Sequence, residues 1–387
     1  MKRNLLAIAI PALLVAAGAN ASIEVWNKDG NKVDFNGRVK AANNITNRGN
    51  TEEGDDTSAR FGMSGQTQIT DSITGYGRWE YEAKAGKDSK NEVRYAFAGL
   101  NFGDLGSFDY GRNDGVLKTI TAYTDVLPQF GGDAGNNAWN VLTERTKAVA
   151  TYRNNNFFGL SDDLSFAIQY ADNGDNSATK DRVKESKTKE AYGAVAQWKI
   201  FDTGLTVGGG YAQTAGSNSR SNSNDYDSWA FEAPGKTKTW ATGIKYDNYN
   251  LYLAASYFQS KHKSQFKDVY DDKTKGFELV AQYGFDLEVG RLTPSLAYVQ
   301  HKVSGRNFHH NDDDFGRNLV KYVSLGAEYA VNKNFSAIVE YKFNLLKKKD
   351  IGAENFTTDS YYDKHEDHNA SKPGTKDVLG VGLIYQF

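Results

Sequence analysis

Residues 378–387, at the carboxyl terminus, read VLGVGLIYQF and alternate between two kinds of side chain. One face is apolar or aromatic, with Leu379, Val381, Leu383, Tyr385 and Phe387, and the other carries Gly380, Gly382 and Gln386. A period of two is typical of a β-strand whose two faces meet different environments. The same alternation recurs at residues 164–171 and 335–344, so an all-β chain is predicted.

The composition favours lipid rather than a protein core on the apolar side of these strands. The mean hydropathy is low, at −0.63, yet the chain contains 23 Tyr, 21 Phe and 38 Gly. In a transmembrane β-barrel only alternate residues face lipid, so the average hydropathy stays low and aromatic residues gather at the membrane interfaces. A water-soluble β-sandwich is the alternative.

About sixteen alternating segments can be marked, each close to the length of about ten residues that crosses an outer membrane. They begin near residues 33, 57, 74, 92, 107, 147, 164, 189, 205, 239, 250, 275, 292, 319, 335 and 376. Their connectors alternate between short turns, such as 332–334, and long polar loops, such as 347–375. An even strand number brings both termini to the rim with short turns, where the first and last strands can pair. We therefore predict a sixteen-stranded antiparallel transmembrane β-barrel.

Residues 1–21 have the pattern of a cleaved secretory signal peptide. Lys2 and Arg3 precede an apolar run at 5–17, and Ala19-Asn20-Ala21 is a cleavage site with small residues. The run is too short to span a bilayer as a helix. The predicted mature chain is therefore 22–387, and a retained amino-terminal anchor is the alternative.

One connector, at about residues 113–145, differs from the other loops. It is more apolar, with Ile120, Val126, Leu127 and Phe130, and it shows no strand pattern. We expect it to fold into the barrel and narrow the lumen, and an ordinary outer loop is the alternative.

Inward-facing positions in the early strands carry charge. The alternation turns Arg38, Arg60, Arg94, Glu80 and Glu92 towards the lumen, since a charge facing lipid costs a few kcal/mol. Arginine suits a fixed wall charge because its guanidinium does not lose its proton. If Asp125 in the loop faces this wall, the opening lies in a transverse field that favours polar solutes. Taken singly, each arginine could equally form a structural ion pair, such as Arg60 with Glu80.

Other kinds of function receive little support. His309-His310 and 365–368 could bind a metal, but both lie in polar loops, so solvated loops are the better interpretation and no metal or cofactor is expected. No catalytic motif is visible, so an enzyme is not expected. The formal charge of −2 argues against a nucleic-acid partner.

Several stretches together resemble one family along nearly all of the mature chain. Residues 27–34, 100–113, 123–133, 150–160 and 385–387 are similar to the trimeric general diffusion porins of the enterobacterial outer membrane. The resemblance implies a homotrimer, an inward third loop, and passive diffusion of small hydrophilic solutes and ions. It also implies contact with outer-membrane lipid and lipopolysaccharide, with periplasmic chaperones and with the barrel-insertion machinery. A substrate-specific porin, for example one that prefers anions, is the alternative.

The resemblance assigns roles to individual residues. The positions of the family's basic wall are matched by Arg38, Arg60, Arg94 and Arg145. Asp125 matches a loop carboxylate, and Phe387 matches the terminal aromatic read by the insertion machinery. Four positions depart from the pattern: Gln129 replaces a second loop glutamate, Glu92 stands where lysine can occur, and Asp114 and Lys118 replace tyrosines. Because the overall charge is negative, mild cation preference is expected.

Overall fold

The computed structural model describes residues 22–46, 52–86, 91–136, 140–172, 190–214, 236–263, 270–307, 314–347 and 375–387. The signal peptide expected at residues 1–21 lies outside these ranges. Within them, no helix is long and apolar enough to cross a membrane.

Most of the described residues are in β-strands. The strands are β1 (Ser22–Lys28), β2 (Asn31–Ile45), β3 (Gly54–Asp55), β4 (Ser58–Gln68), β5 (Thr74–Lys84), β6 (Asn91–Asn101), β7 (Ser107–Asp114), β8 (Arg145–Asn154), β9 (Leu164–Ala171), β10 (Ala191–Lys199), β11 (Leu205–Thr214), β12 (Lys236–Asn248), β13 (Leu251–Lys263), β14 (Tyr270–Tyr283), β15 (Phe285–Asp286), β16 (Arg291–Asn307), β17 (Asp314–Ala330), β18 (Phe335–Asn344) and β19 (Val378–Gln386). A short helix α1 (Lys118–Thr121) follows β7, and single 3₁₀ turns lie at Gly103–Leu105, Phe157–Gly159 and Phe201–Thr203.

Sixteen of these strands form one closed antiparallel ring, as predicted. Each strand pairs with its neighbours in the chain, and β19 pairs with β2 to close the sheet. The short strands β1, β3 and β15 are additions to this ring. A closed ring leaves no free edge and satisfies the backbone within a membrane, which excludes the alternative of a two-sheet sandwich.

The strand β1 was not predicted. It pairs with the first half of β2, where Ser22 lies opposite Asn36, and β19 pairs with the second half. Phe387 exchanges backbone hydrogen bonds with Gly37, at 2.7 and 2.9 Å, between these two segments. The strands β1 and β19 thus lie in line along one side of β2 and together cover its edge.

The longest strands extend beyond the predicted segments. Both β16 and β17 contain 17 residues, and β17 begins at Asp314, whereas the pattern placed its start near 319. A membrane crossing needs only about ten residues. The remainder forms a hairpin beyond the lipid, where no alternation is required.

The two faces of the barrel differ as the alternation predicted. Large apolar side chains stay exposed on the outside, such as Phe61 at 46% and Leu383 at 50%. Inward neighbours such as Glu278 and Glu340 are fully buried. Exposed apolar side chains on most strands of the ring would be unfavourable in water and are favourable against lipid.

The described residues 115–136 and 140–144, which we call the constriction loop, fold into the barrel. Leu117, Ile120 and Leu142 are fully buried, and they form one apolar cluster with Ala212 and Phe258 of the wall. The apolar character of this connector therefore has the cause that was expected, and an ordinary outer loop is excluded.

Candidate pore constriction

The constriction loop leaves the wall after β7 and returns to it at β8. Backbone hydrogen bonds join its two ends, from Gly115 N–H to the Glu144 oxygen and from Leu117 N–H to the Leu142 oxygen, both at 2.9 Å. Between these ends the described residues, 116–136 and 140–143, form no strand, so the position of the loop depends on contacts with the wall.

Glu278, on β14, forms the first anchor. Its Oε1 accepts hydrogen bonds from the backbone N–H groups of Ala134, at 2.7 Å, and Gly135, at 3.1 Å. Its Oε2 accepts a short hydrogen bond from the hydroxyl of Thr124. A buried carboxyl group thus satisfies loop donors that would otherwise lack partners.

Glu340, on β18, forms the second anchor. Its Oε2 accepts hydrogen bonds from the backbone N–H groups of Gln129, at 2.8 Å, and Phe130, at 3.0 Å. Ser324 donates to the other oxygen. Neither anchor was predicted from the sequence. The feature of the sequence that could have indicated these anchors is an acidic residue at an inward position opposite the apolar loop.

Opposite the loop, arginine and glutamate side chains form a connected network on β4, β5 and β6. Arg60 Nε donates to Glu82 at 2.6 Å, and Arg94 contacts both Glu80, at 2.6 Å, and Glu82, at 3.0 Å. Arg78 completes the network through Glu80 at 2.6 Å. The suggested pair of Arg60 with Glu80 is wrong, because the register of β4 and β5 places Arg60 directly opposite Glu82.

Arg38 differs from the other arginines of the wall. It lies opposite Arg60 across β2 and β4, and among the described residues no carboxylate lies within 4.0 Å of it. Its Nε is buried without a hydrogen-bond partner. Like charges placed directly opposite each other are unfavourable. Arg38 thus lines the lumen without a salt-bridge partner among the described residues, and Glu80 and Glu82 act on it only at longer range.

Arg145 stands at the base of the constriction loop. Its guanidinium lies 3.6 Å from Glu92, which also contacts Arg112 at 3.4 Å. Asp114 is opposite Arg145 in the ladder and accepts a hydrogen bond from the Tyr95 hydroxyl at 3.0 Å. Glu92 and Asp114 therefore act mainly on neighbouring side chains rather than on open lumen.

The loop side of the opening carries little net charge. Asp125 Oδ2 lies 3.7 Å from the Lys118 ammonium, and Asn136 donates to the same oxygen at 3.1 Å. Gln129 does not face the lumen freely, since its Nε2 donates to Asn44 at 2.9 Å and to Asp56 at 3.1 Å.

A cavity of about 1180 Å³ connects these groups along the lumen. Nine of the ten predicted constriction residues line it: Arg38, Arg60, Glu80, Arg94, Asp114, Lys118, Asp125, Gln129 and Arg145. Glu92 alone does not. The lining of the cavity contains ten lysine or arginine residues and six aspartate or glutamate residues, so the cavity wall carries net positive charge.

The model of one protein family, the Gram-negative porins, matches residues 28–387. The chain belongs to the Gram-negative porin family. Outer membrane porin F of Xenorhabdus nematophila is 43% identical over the full length of both chains, and outer membrane porin N of Escherichia coli is 40% identical over the same extent. The solved structure of Salmonella typhi OmpF in complex with daunomycin is 33% identical, with a TM-score of 0.73 over 94% of this chain and 100% of that chain.

This porin is therefore a multi-pass protein of the bacterial outer membrane. It forms a water-filled channel for passive diffusion of small hydrophilic solutes, and it is not an enzyme. The location, the channel function and the absence of enzyme activity were all predicted from the sequence, and membership of the family confirms them.

Burial changes the acid–base behaviour of two side chains in the constriction loop of this porin. Burial raises the pKa of the Asp133 carboxyl, whose Oδ2 accepts a hydrogen bond from the Tyr322 hydroxyl at 2.8 Å. Burial also raises the pKa of the Tyr123 hydroxyl, which donates to Gln197 at 2.6 Å.

Within the described part of this porin, no cluster of three His, Cys, Asp or Glu side chains could hold a metal ion. The two loop motifs considered for metal binding, His309-His310 and residues 365–368, lie outside the described residues.

Proposed function

We propose that this porin is a general diffusion channel whose lumen beside the constriction loop carries net positive charge and therefore favours anions. The single observation that supports this most is the lining of the cavity, in which cationic side chains outnumber anionic ones by ten to six. The channel discriminates between solutes by their size and charge, without a binding site.

The loop side reinforces this balance. Lys118 compensates Asp125, and Gln129 has no charge to oppose the wall. Across the opening, Arg38 has no carboxylate within salt-bridge distance among the described residues. A permeating anion therefore meets a guanidinium that has no salt-bridge partner among the described residues.

The expectation of cation preference rested on the charge of the whole chain, −2. That sum includes the long outer loops. The screening length is only about 10 Å at 0.1 M ionic strength, so distant loop charges act weakly at the aperture. The charge of the side chains that line the lumen therefore predicts ion selectivity better than the charge of the whole chain.

We further propose that the porin assembles as a homotrimer in contact with outer-membrane lipid and lipopolysaccharide. A structural relative, OmpT of Vibrio cholerae, is described in a trimer form and shares the fold at a TM-score of 0.61 and 16% identity. Residues 1–21 are proposed to direct export and to be removed before chaperones and the barrel-insertion machinery receive the chain. Phe387, at the end of the closing strand, is proposed as the signal that this machinery reads.

Single-channel recording under a KCl gradient tests the proposal. The expected reversal potential has the sign of anion preference at low salt and decreases towards 1 M salt, where the screening length is about 3 Å. A reversal potential with the sign of cation preference would contradict the charge assignment. Flux of a phosphorylated sugar that rises linearly with concentration supports general diffusion, whereas saturation would support a substrate-specific channel.

A further inference from the structure

The tip of the constriction loop lies across the seam where the barrel closes. The backbone N–H of Gln129 binds Glu340 on β18 at 2.8 Å, and its side chain reaches Asn44 on β2 at 2.9 Å. The closing strand β19 lies between these two partners. One residue thus spans three adjacent strands, which include both ends of the sheet.

A glycine makes room for this contact. Gly380 of β19 pairs with Glu340 on one side and with Asn44 on the other. A Cβ atom at Gly380 would lie 2.5 Å from Cγ of Gln129, far inside contact distance. We call the site formed by Asn44, Asp56 and Gly380 the seam notch.

The chemistry of the seam notch requires a donor. Asp56 Oδ2 accepts a hydrogen bond from Gln129 at 3.1 Å and lies 3.3 Å from the Lys40 ammonium. An ionised carboxylate only accepts hydrogen bonds, so the atom that faces Asp56 is the amide nitrogen of Gln129. The two hydrogens of this nitrogen match two acceptors, Asn44 Oδ1 and Asp56 Oδ2. A carboxylate in place of the amide would have no hydrogen to donate and would face the charge of Asp56.

We propose that Gln129 is a positioning residue that latches the loop tip into the seam notch and so fixes both the width and the charge of the aperture. With glutamate at this position, the tip would leave the notch and turn its carboxylate into the lumen. This inference rests on the proposed function only in that ion flow is its readout.

Three variants separate the latch from the charge: Gln129→Glu, Asp56→Asn, and the two combined. The combined variant has the same net charge as the natural protein, and its new amide at position 56 can donate to the new carboxylate. Gln129→Glu alone is expected to increase the frequency of subconductance transitions roughly 5- to 150-fold, the effect of losing two ordinary hydrogen bonds. It should also shift the reversal potential towards cations. The combined variant is expected to return both quantities close to those of the natural protein.

Gly380→Ala provides an independent test without a change of charge. It fills the notch, so it is expected to increase the frequency of subconductance transitions as Gln129→Glu does, while the reversal potential stays at the natural value. Heat-stable mobility on gels controls for folding of every variant. The latch is refuted if folded Gln129→Glu gates like the natural protein, or if the combined variant gates like Gln129→Glu. Cation preference of the natural protein would refute the proposed selectivity and leave the gating comparison valid.

Discussion

The carboxyl group of Glu278, on β14, accepts a hydrogen bond from the backbone N–H of Ala134 at 2.7 Å. The two residues are 144 positions apart in the chain, yet this contact fixes where the constriction loop lies against the wall. With the anchor at Glu340, it converts a strandless segment into a defined part of the channel.

Replacement of Glu278 tests the first anchor. Glu278→Ala leaves the buried N–H groups of Ala134 and Gly135 without acceptors, at a cost of about 1–3 kcal/mol each. We expect frequent closures in single-channel records and a lower thermal unfolding temperature. Glu278→Gln keeps one acceptor oxygen and should lie between the alanine variant and the natural protein. If channels of the alanine variant close no more often than those of the natural protein, contacts other than Glu278 are sufficient to hold the constriction loop.

Arg38 and Arg94 carry the same charge in different surroundings. Arg38→Gln and Arg94→Gln should shift the reversal potential towards cations to a similar extent. Only Arg94→Gln should lower stability, by about 3 kcal/mol, because it leaves Glu80 and Glu82 with fewer partners. Unfolding in urea, followed by tryptophan fluorescence, measures the difference. Equal stability of the two variants would contradict the network as described.

The pair of Lys118 and Asp125 controls the charge on the loop side. Lys118→Ala should move the reversal potential towards cations, and Asp125→Asn should move it towards anions. The two side chains are 3.7 Å apart and partly exposed, so either change should cost less than about 1 kcal/mol of stability. Shifts of the same sign in both variants would refute this arrangement.

Asp133 gives the porin a pH dependence with a defined sign. Its pKa is raised by burial in the folded state, so the contribution of this group to stability is greatest at low pH and is lost as pH rises through the folded pKa. Asp133→Asn, which removes the buried charge and keeps an acceptor for Tyr322, should raise the unfolding temperature at pH 7 and have little effect near pH 3. A variant that is less stable than the natural protein at pH 7 would show that the charge is favourable there.

The strands could be predicted because lipid and water impose a period of two. Val339 is exposed at 46% and its neighbour Glu340 is fully buried, as the alternation around them requires. The strand β1 lacked such a signal. It serves to cover an edge of β2, and that need follows from where β19 ends.

The sequence predicts which side chains of the site face the lumen, but it does not predict which of them form pairs. The alternation placed Arg60 in the lumen, but its partner depends on the stagger between β4 and β5, which the sequence does not display. The orientation of Gln129 depends on Glu340, 211 positions away. Local patterns carry no information about such contacts, so the loop anchors and the seam notch became visible only in three dimensions.

The position of Gln129 has a consequence for biogenesis. The partners of Gln129 belong to the first and the last segments of the sheet to be synthesised. Gln129 can therefore contact all of them only after the barrel has closed. The aperture therefore takes its final shape only when β19 has paired with β2.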